Sequence, residues 1–452
     1  MLKSPKTHTT RLDNGIRVVT ERVPNTRSAG ISILVDAGPQ DEEANKLGLA
    51  HLCEHALFLG TPQRSSLELA KTIDAAGGCF GAFTAPDYTC FYAHILEDYV
   101  SYAFDLLGDI LVASKYPEEL LEREKEVVCQ EILGYQDNPN DALLQMTKQS
   151  LWPNDPLSRS VTGTVEDVSK LQRADVVQFV SRQYSPDRII VAAAGALEHD
   201  SIVEQTQDAF WTLRGQNPPR SNDSPFDPKN SLSRVRVKNM PIGQCSFSIA
   251  IPTVPYNDER RYAMHLINNL IGGGMSSRLY QHIREANGLV YSIQSSLLSY
   301  RRGGAMVISG ETSVDKLIQS IHLTLSQLTA LAIWENPIQE EELWKSKMQV
   351  RSQSRLATDF VSNRVSGIAT QEFHFGYRIE EDQIVNEIDQ VSIDELEQVA
   401  RGVLFPGIGR LAISAVGPID EGSAVYNDLL DIHSCYSSLA CAKIQEQSKA
   451  ND

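Results

Sequence analysis

Long apolar runs are missing from this chain. The longest, such as Ile189 to Leu197, fall far short of the roughly 20 residues a membrane-spanning helix needs, so no membrane partner is expected. Cysteine is sparse: seven residues, odd in number and without paired spacing, exclude a disulfide framework and read as reduced thiols of a cytoplasmic protein. Cys53 is expected simply to pack. Positive charge is in deficit, with 41 Lys and Arg against 58 Asp and Glu, a net charge of -17. The clustered cations that phosphate binding requires are absent, which argues against nucleic acid and is compatible with basic peptide substrates. Behind the early lysines of MLKSPKTHTTRLDNG there is no apolar stretch, so neither a secretory signal nor a transit peptide is expected. Low-complexity sequence is limited to a polar tail after about Ile432.

What is present describes a globular protein. Hydrophobic residues make up 42% and charged ones 22%, and 452 residues are too many for one ordinary core, so two large domains are expected. Strand-like text at residues 15–23 and 28–38 shows β-branched residues on a period of two at Ile31, Ile33 and Val35. Leu47 to Leu59 carries apolar residues on helical spacing, and a short helix ends at Gly77-Gly78. Two strands (79–85 and 88–95), long helical stretches to about Tyr135, the strand 188–197 and a helix from about Ser201 follow. QNPPRSNDSPFDPKN, with four prolines and no period, is the best linker. The expected division is 1–214, a linker at 215–232, a second domain at 233–435 and a flexible tail at 436–452. The halves share a plan. Ile73 to Gly78 closes a helix before two strands and a helix, and Ile283 to Gly288 does the same, which reads as an internal duplication.

The sharpest local feature is His51-Leu52-Cys53-Glu54-His55. Residues four apart lie on one helix face, so both imidazoles can reach one ion, and Glu54 points to the same side. Two imidazoles and a carboxylate form a zinc set that leaves room for water, and H-x-x-E-H is the inverzincin signature. Two surface histidines with a glutamate between them are the plain alternative, so a third ligand is needed. Gly272-Gly273-Gly274 lacks the G-K-[ST] ending of a phosphate cradle and reads as a turn. His282 is not placed as a ligand, and His94 is expected to be structural.

The runs GLAHLCEHALFLGT and EREKEVVCQEI together resemble the pitrilysin-type zinc peptidases, which include the mitochondrial processing peptidase and insulin-degrading enzyme. The resemblance covers nearly the whole chain. It implies an α+β protein of two homologous domains, each a mostly antiparallel sheet covered by helices, and a metalloendopeptidase activity with one Zn2+ per chain. Its third ligand is a later glutamate, matched by Glu131, 76 residues after His55. Glu131 among Val127, Val128, Ile132 and Leu133 is also an uncomfortable surface residue. Glu124, two helical turns earlier, matches the auxiliary acid. Glu122 and Glu126 read as solvated. Glu54 would then be the general base.

In the second half, GGGMSSRLYQHIREANGLVYSI resembles the segment in which the family carries an Arg and a Tyr seven apart, matched by Arg284 and Tyr291. From the residues alone a surface Arg and a half-buried strand Tyr are equally good. The resemblance implies that they hold a substrate carbonyl as it gains charge. Where the family has Asn-Ala in the strand to which substrate adds itself, this chain has Gly81-Ala82, so main-chain pairing is retained and one side-chain contact is lost. Relatives of this length act as dimers, so a homodimer with sites completed in trans is expected. A non-catalytic scaffold subunit and a processing subunit that needs a different partner are the alternatives.

Overall fold

A computed structural model describes residues 7–214, Phe226 and 234–451, with the backbone alone for 441–451. The first sheet contains β1 (Thr7–Arg11), β2 (Arg17–Arg22), β3 (Ser28–Val35), β4 (Cys79–Thr84), β5 (Thr89–Leu96) and β6 (Ile189–Gly195), in the order β1-β2-β6-β3-β5-β4. The second contains β7 (Val235–Asn239), β8 (Cys245–Thr253), β9 (Ser292–Ser299), β10 (Gly304–Thr312) and β11 (Ala412–Gly417), in the order β7-β11-β8-β10-β9. Without β1 the two orders coincide, strand for strand. In each sheet one pair is parallel, β2 with β6 and β7 with β11, and every other pair is antiparallel. The protein is α+β with two equivalent sheets covered by helices.

Burial explains the strand composition. β3, β6 and β11 are covered on both faces, so they read as near-continuous small and β-branched runs rather than as alternations. On one face of the first sheet Ile31, Ile33, Val191 and Phe91 meet Leu52, Phe104 and Leu107 from the helices Leu49–Ala56 and Val100–Ala113. On its other face Val19, Leu34, Ile190 and Ala192 meet Val365, Ile368, Ala369 and Phe373 of the helix Val361–Phe375. The second sheet has the matching arrangement: Phe247, Ile249 and Ile413 face one core, and Val416 meets Ala142 and Leu143 of the helix Pro139–Leu151.

Each sheet thus takes a covering helix from the other half of the sequence. The compact units are Met1–Gly134, Arg159–Asn222 and Ser354–Gln383 on one side, and Tyr135–Ser158, Asp223–Gln353 and Ile384–Asp452 on the other. A contiguous cut near 214 does not capture that exchange. The physical reason is the second face of each sheet, which needs an apolar helix that the local sequence does not supply. Apart from Phe226, the linker expected at 215–232 lies outside the described residues. The tail was expected from 436. The helix Ala424–Asn451 continues through it, and Leu429, Tyr436 and Ala440 are buried in the second unit's core on helical spacing among polar residues.

Candidate metal centre

Gly48 opens the helix that carries H-x-x-E-H. It sits in the left-handed region at φ 82°, and a β-carbon there would fall 2.5 Å from the Thr162 carbonyl oxygen, so glycine is required. Having no side chain, Gly48 cannot cap the helix. Glu42 does so instead: its Oε2 accepts from the Gly48 N–H at 3.1 Å and its Oε1 from the Ala50 N–H at 2.8 Å. Burial pushes the Glu42 carboxyl up to about 8, against the opposing pull of those two N–H groups and of Arg159. Leu49, Leu52, Cys53 and Ala56 are buried, and the helix tightens into a 3-10 turn at Leu57–Leu59. Cys53 packs as expected, fully buried near the Val176 carbonyl.

The two histidines turn toward the helix Glu118–Asp137, whose buried stripe is Leu121, Lys125, Val128 and Ile132. Glu131 flanks that stripe, with its side chain one-third exposed. Of the apolar neighbours that made Glu131 an uncomfortable surface residue, Val128 and Ile132 are buried and Val127 and Leu133 are solvent-exposed. Glu122 and Glu126 are exposed, as expected, and Glu122 pairs with Lys125.

Three ligand atoms converge. The Nε2 atoms of His51 and His55 lie 3.7 and 3.6 Å from the same Glu131 Oε2, and the three groups offer atoms all within 4.8 Å of one another. Those separations are too long for hydrogen bonds. They are close to the roughly 3.4 Å between tetrahedral ligands held about 2.1 Å from a zinc ion. The donor set therefore fits the metal. On the far side of His55, Nδ1 meets Glu124 Oε1 at 2.8 Å, which fixes the ring and leaves Nε2 for the ion. Burial disfavours a charge on His55, but Glu124, Glu54 and Glu131 outweigh it and hold the ring above its ordinary value. His51 has no carboxylate on its Nδ1, and burial, aided by His55, lowers it to about 4.

Glu54 stands beside this set but is held elsewhere. Its Oε2 accepts from the Thr84 hydroxyl at 2.5 Å, on β4. Burial raises its carboxyl above the ordinary range, against Thr84 and His55, which lower it. Thr84 was not singled out from sequence. The signal was the alternation of CFGAFT, which sets Phe80, Ala82 and Thr84 on one face of β4, toward the site helix. A cleft of about 520 Å3 opens here, lined by Glu54, His55, Phe58, Ala82, Leu120 and Glu124 among others.

Arg284 and Tyr291 lie in the second unit and are brought together there. Arg284 lies in the last turn of the π-helix Tyr280–Glu285, stacks over the Tyr280 ring at 4.7 Å, and donates from Nε to the Tyr291 carbonyl at 2.9 Å. The Tyr291 side chain is 73% exposed. The second unit's counterpart of the site helix, Arg261–Gly272, has the sequence RYAMHLINNLIG and no H-x-x-E-H.

A helix-borne H-x-x-E-H set on a duplicated α+β plan defines a class of zinc peptidase-like proteins. Residues 17–165 match the model of insulinase (peptidase family M16), and residues 170–350 match that of the peptidase M16 inactive domain. The chain belongs to this family. An uncharacterized zinc protease of Mycobacterium tuberculosis is 33% identical over 412 residues, 90% of this chain and 93% of that protein. One from Bacillus subtilis is 30% identical over 404 residues, covering 89% and 97%. Among solved structures, a protease from Helicobacter pylori superposes with a TM-score of 0.81 at 18% identity, over 92% of this chain and 100% of that one. A chain of complex III from Candida albicans gives 0.78 at 17%, over 94% and 99%. These structural likenesses establish the fold.

Proposed function

We propose that the protein is a zinc-dependent metalloendopeptidase acting on peptides or unfolded segments, with one zinc per chain held by His51, His55 and Glu131. The convergence of those three groups, with Glu124 behind His55, carries the reading. When bound, zinc would supply a polarised carbonyl and a water of lowered pKa. Glu54 would take the proton on Oε1, the oxygen that Thr84 leaves free, and pass it to the departing amine. A carboxyl raised toward neutrality by burial suits that exchange. Glu124 keeps the His55 tautomer fixed. Arg284 and Tyr291 would steady the carbonyl oxygen as charge develops. In this reading the protein would be a cytoplasmic homodimer. Among the described residues no helix is long and apolar enough to cross a membrane.

The testing experiment is a peptide-library digest with metal analysis of the purified chain, set against Glu54→Gln. Wild type should hold one zinc and cleave. Glu54→Gln should keep the zinc and lose cleavage by at least about 100-fold. Zinc-free, inactive wild type sinks the reading. Zinc-loaded wild type that cleaves only with another chain present identifies the partner-dependent subunit instead.

A further inference from the structure

Gly81 leaves an opening in β4, and Tyr92 closes it. The two are direct partners in the antiparallel β4–β5 pair, so their side-chain positions share a face. A β-carbon on Gly81 would fall 2.5 Å from the Tyr92 hydroxyl oxygen and 2.7 Å from the ring carbon that bears it. The phenol therefore lies across the β4 backbone, with its polar end over Gly81. β4 is the last strand of its sheet, and its outer side is unpaired among the described residues. The ring has crossed one strand spacing, about 4.8 Å, and its hydroxyl stands beside the position of any strand added there. The Phe83 ring lies 6.4 Å from the Tyr92 ring. A phenol both donates and accepts, so its hydroxyl can meet either kind of hydrogen-bonding side chain.

We infer that Tyr92 is a specificity-determining residue, whose hydroxyl hydrogen-bonds the side chain of the substrate residue lying opposite Gly81. It takes the place of the side chain that Gly81 lacks. The subsite favours a short hydrogen-bonding side chain (Ser, Thr or Asn) over an aliphatic one of similar size. This rests on the peptidase reading above. Covering a strand glycine needs only the ring, which phenylalanine supplies equally well. The oxygen is what distinguishes recognition from packing.

Position-resolved library digests of wild type, Tyr92→Phe and Gly81→Ala test it. Wild type should prefer Ser, Thr or Asn over Ala or Val at one position by roughly three- to tenfold, the worth of one neutral hydrogen bond. Tyr92→Phe should flatten that position alone, with its melting temperature unchanged. Gly81→Ala, whose methyl displaces the phenol, should flatten the same position with Tyr92 intact. A profile unchanged in Tyr92→Phe, or a uniform loss at every position, overturns the inference while leaving the peptidase reading in place. No cleavage by wild type overturns both.

Discussion

At the scale of single residues, the proposed centre divides into groups that would hold the ion and groups that hold those groups. Glu124 reaches His55 through Nδ1, so its removal acts on metal affinity through the ring. Glu124→Ala should weaken zinc binding by about 10–100-fold, with Glu124→Gln, which keeps an acceptor without the charge, falling between. Chelator competition on folded protein measures it, and equal affinities in all three forms would refute the role. His51, Glu54 and His55 were legible because helical periodicity puts residues three or four apart on one face. Glu131 came through the family resemblance, and the seven-residue spacing then set Glu124 on its face. Thr84 was not singled out: the alternation of CFGAFT gives its face on β4, but the contact with Glu54 depends on how β4 meets the helix.

At the scale of elements, the site helix depends on a cap from outside itself. Glu42 has an ordinary value of 4.5 in an open chain and about 8 in the fold, so between those values the folded state binds more protons. Its favourable contribution is complete below about pH 4.5 and is lost as pH rises toward 8, amounting to roughly 2–5 kcal/mol. Glu42→Gln removes that slope. Melting temperatures from pH 5 to 8 should fall for wild type relative to the variant, and parallel curves would refute a buried titrating cap. The covering helices are the other lesson. The apolar stripe of Val361–Phe375 is readable, but a stripe does not say which sheet it covers. Ile368 is fully buried against the first sheet, so Ile368→Ala should cost roughly 2–5 kcal/mol and lower zinc retention on heating, although it lies far from the site in sequence. Thermal release of zinc followed beside circular dichroism would show it. Unchanged release would count against the exchanged cover.

At the scale of the whole molecule, the duplication was visible as order of elements, and the two sheets bear it out strand for strand. The copies differ in what they bring together: among the described residues the first unit gathers His51, His55 and Glu131, and in the second Arg284 Nε donates to the Tyr291 carbonyl. We propose that each site joins the first unit of one protomer to the second unit of another. Glu54→Gln and Arg284→Ala should then each be inactive alone, the latter by about 100- to 1,000-fold. Random exchange of an equal mixture makes half the dimers mixed, and each mixed dimer holds one site with both residues intact and one with neither. About a quarter of wild-type activity should return if sites form in trans, and none if each chain completes its own. Subunit exchange is verified by native mass on chains of different tag length. Mixed dimers that form and stay inactive would assign both residues to the same protomer's site.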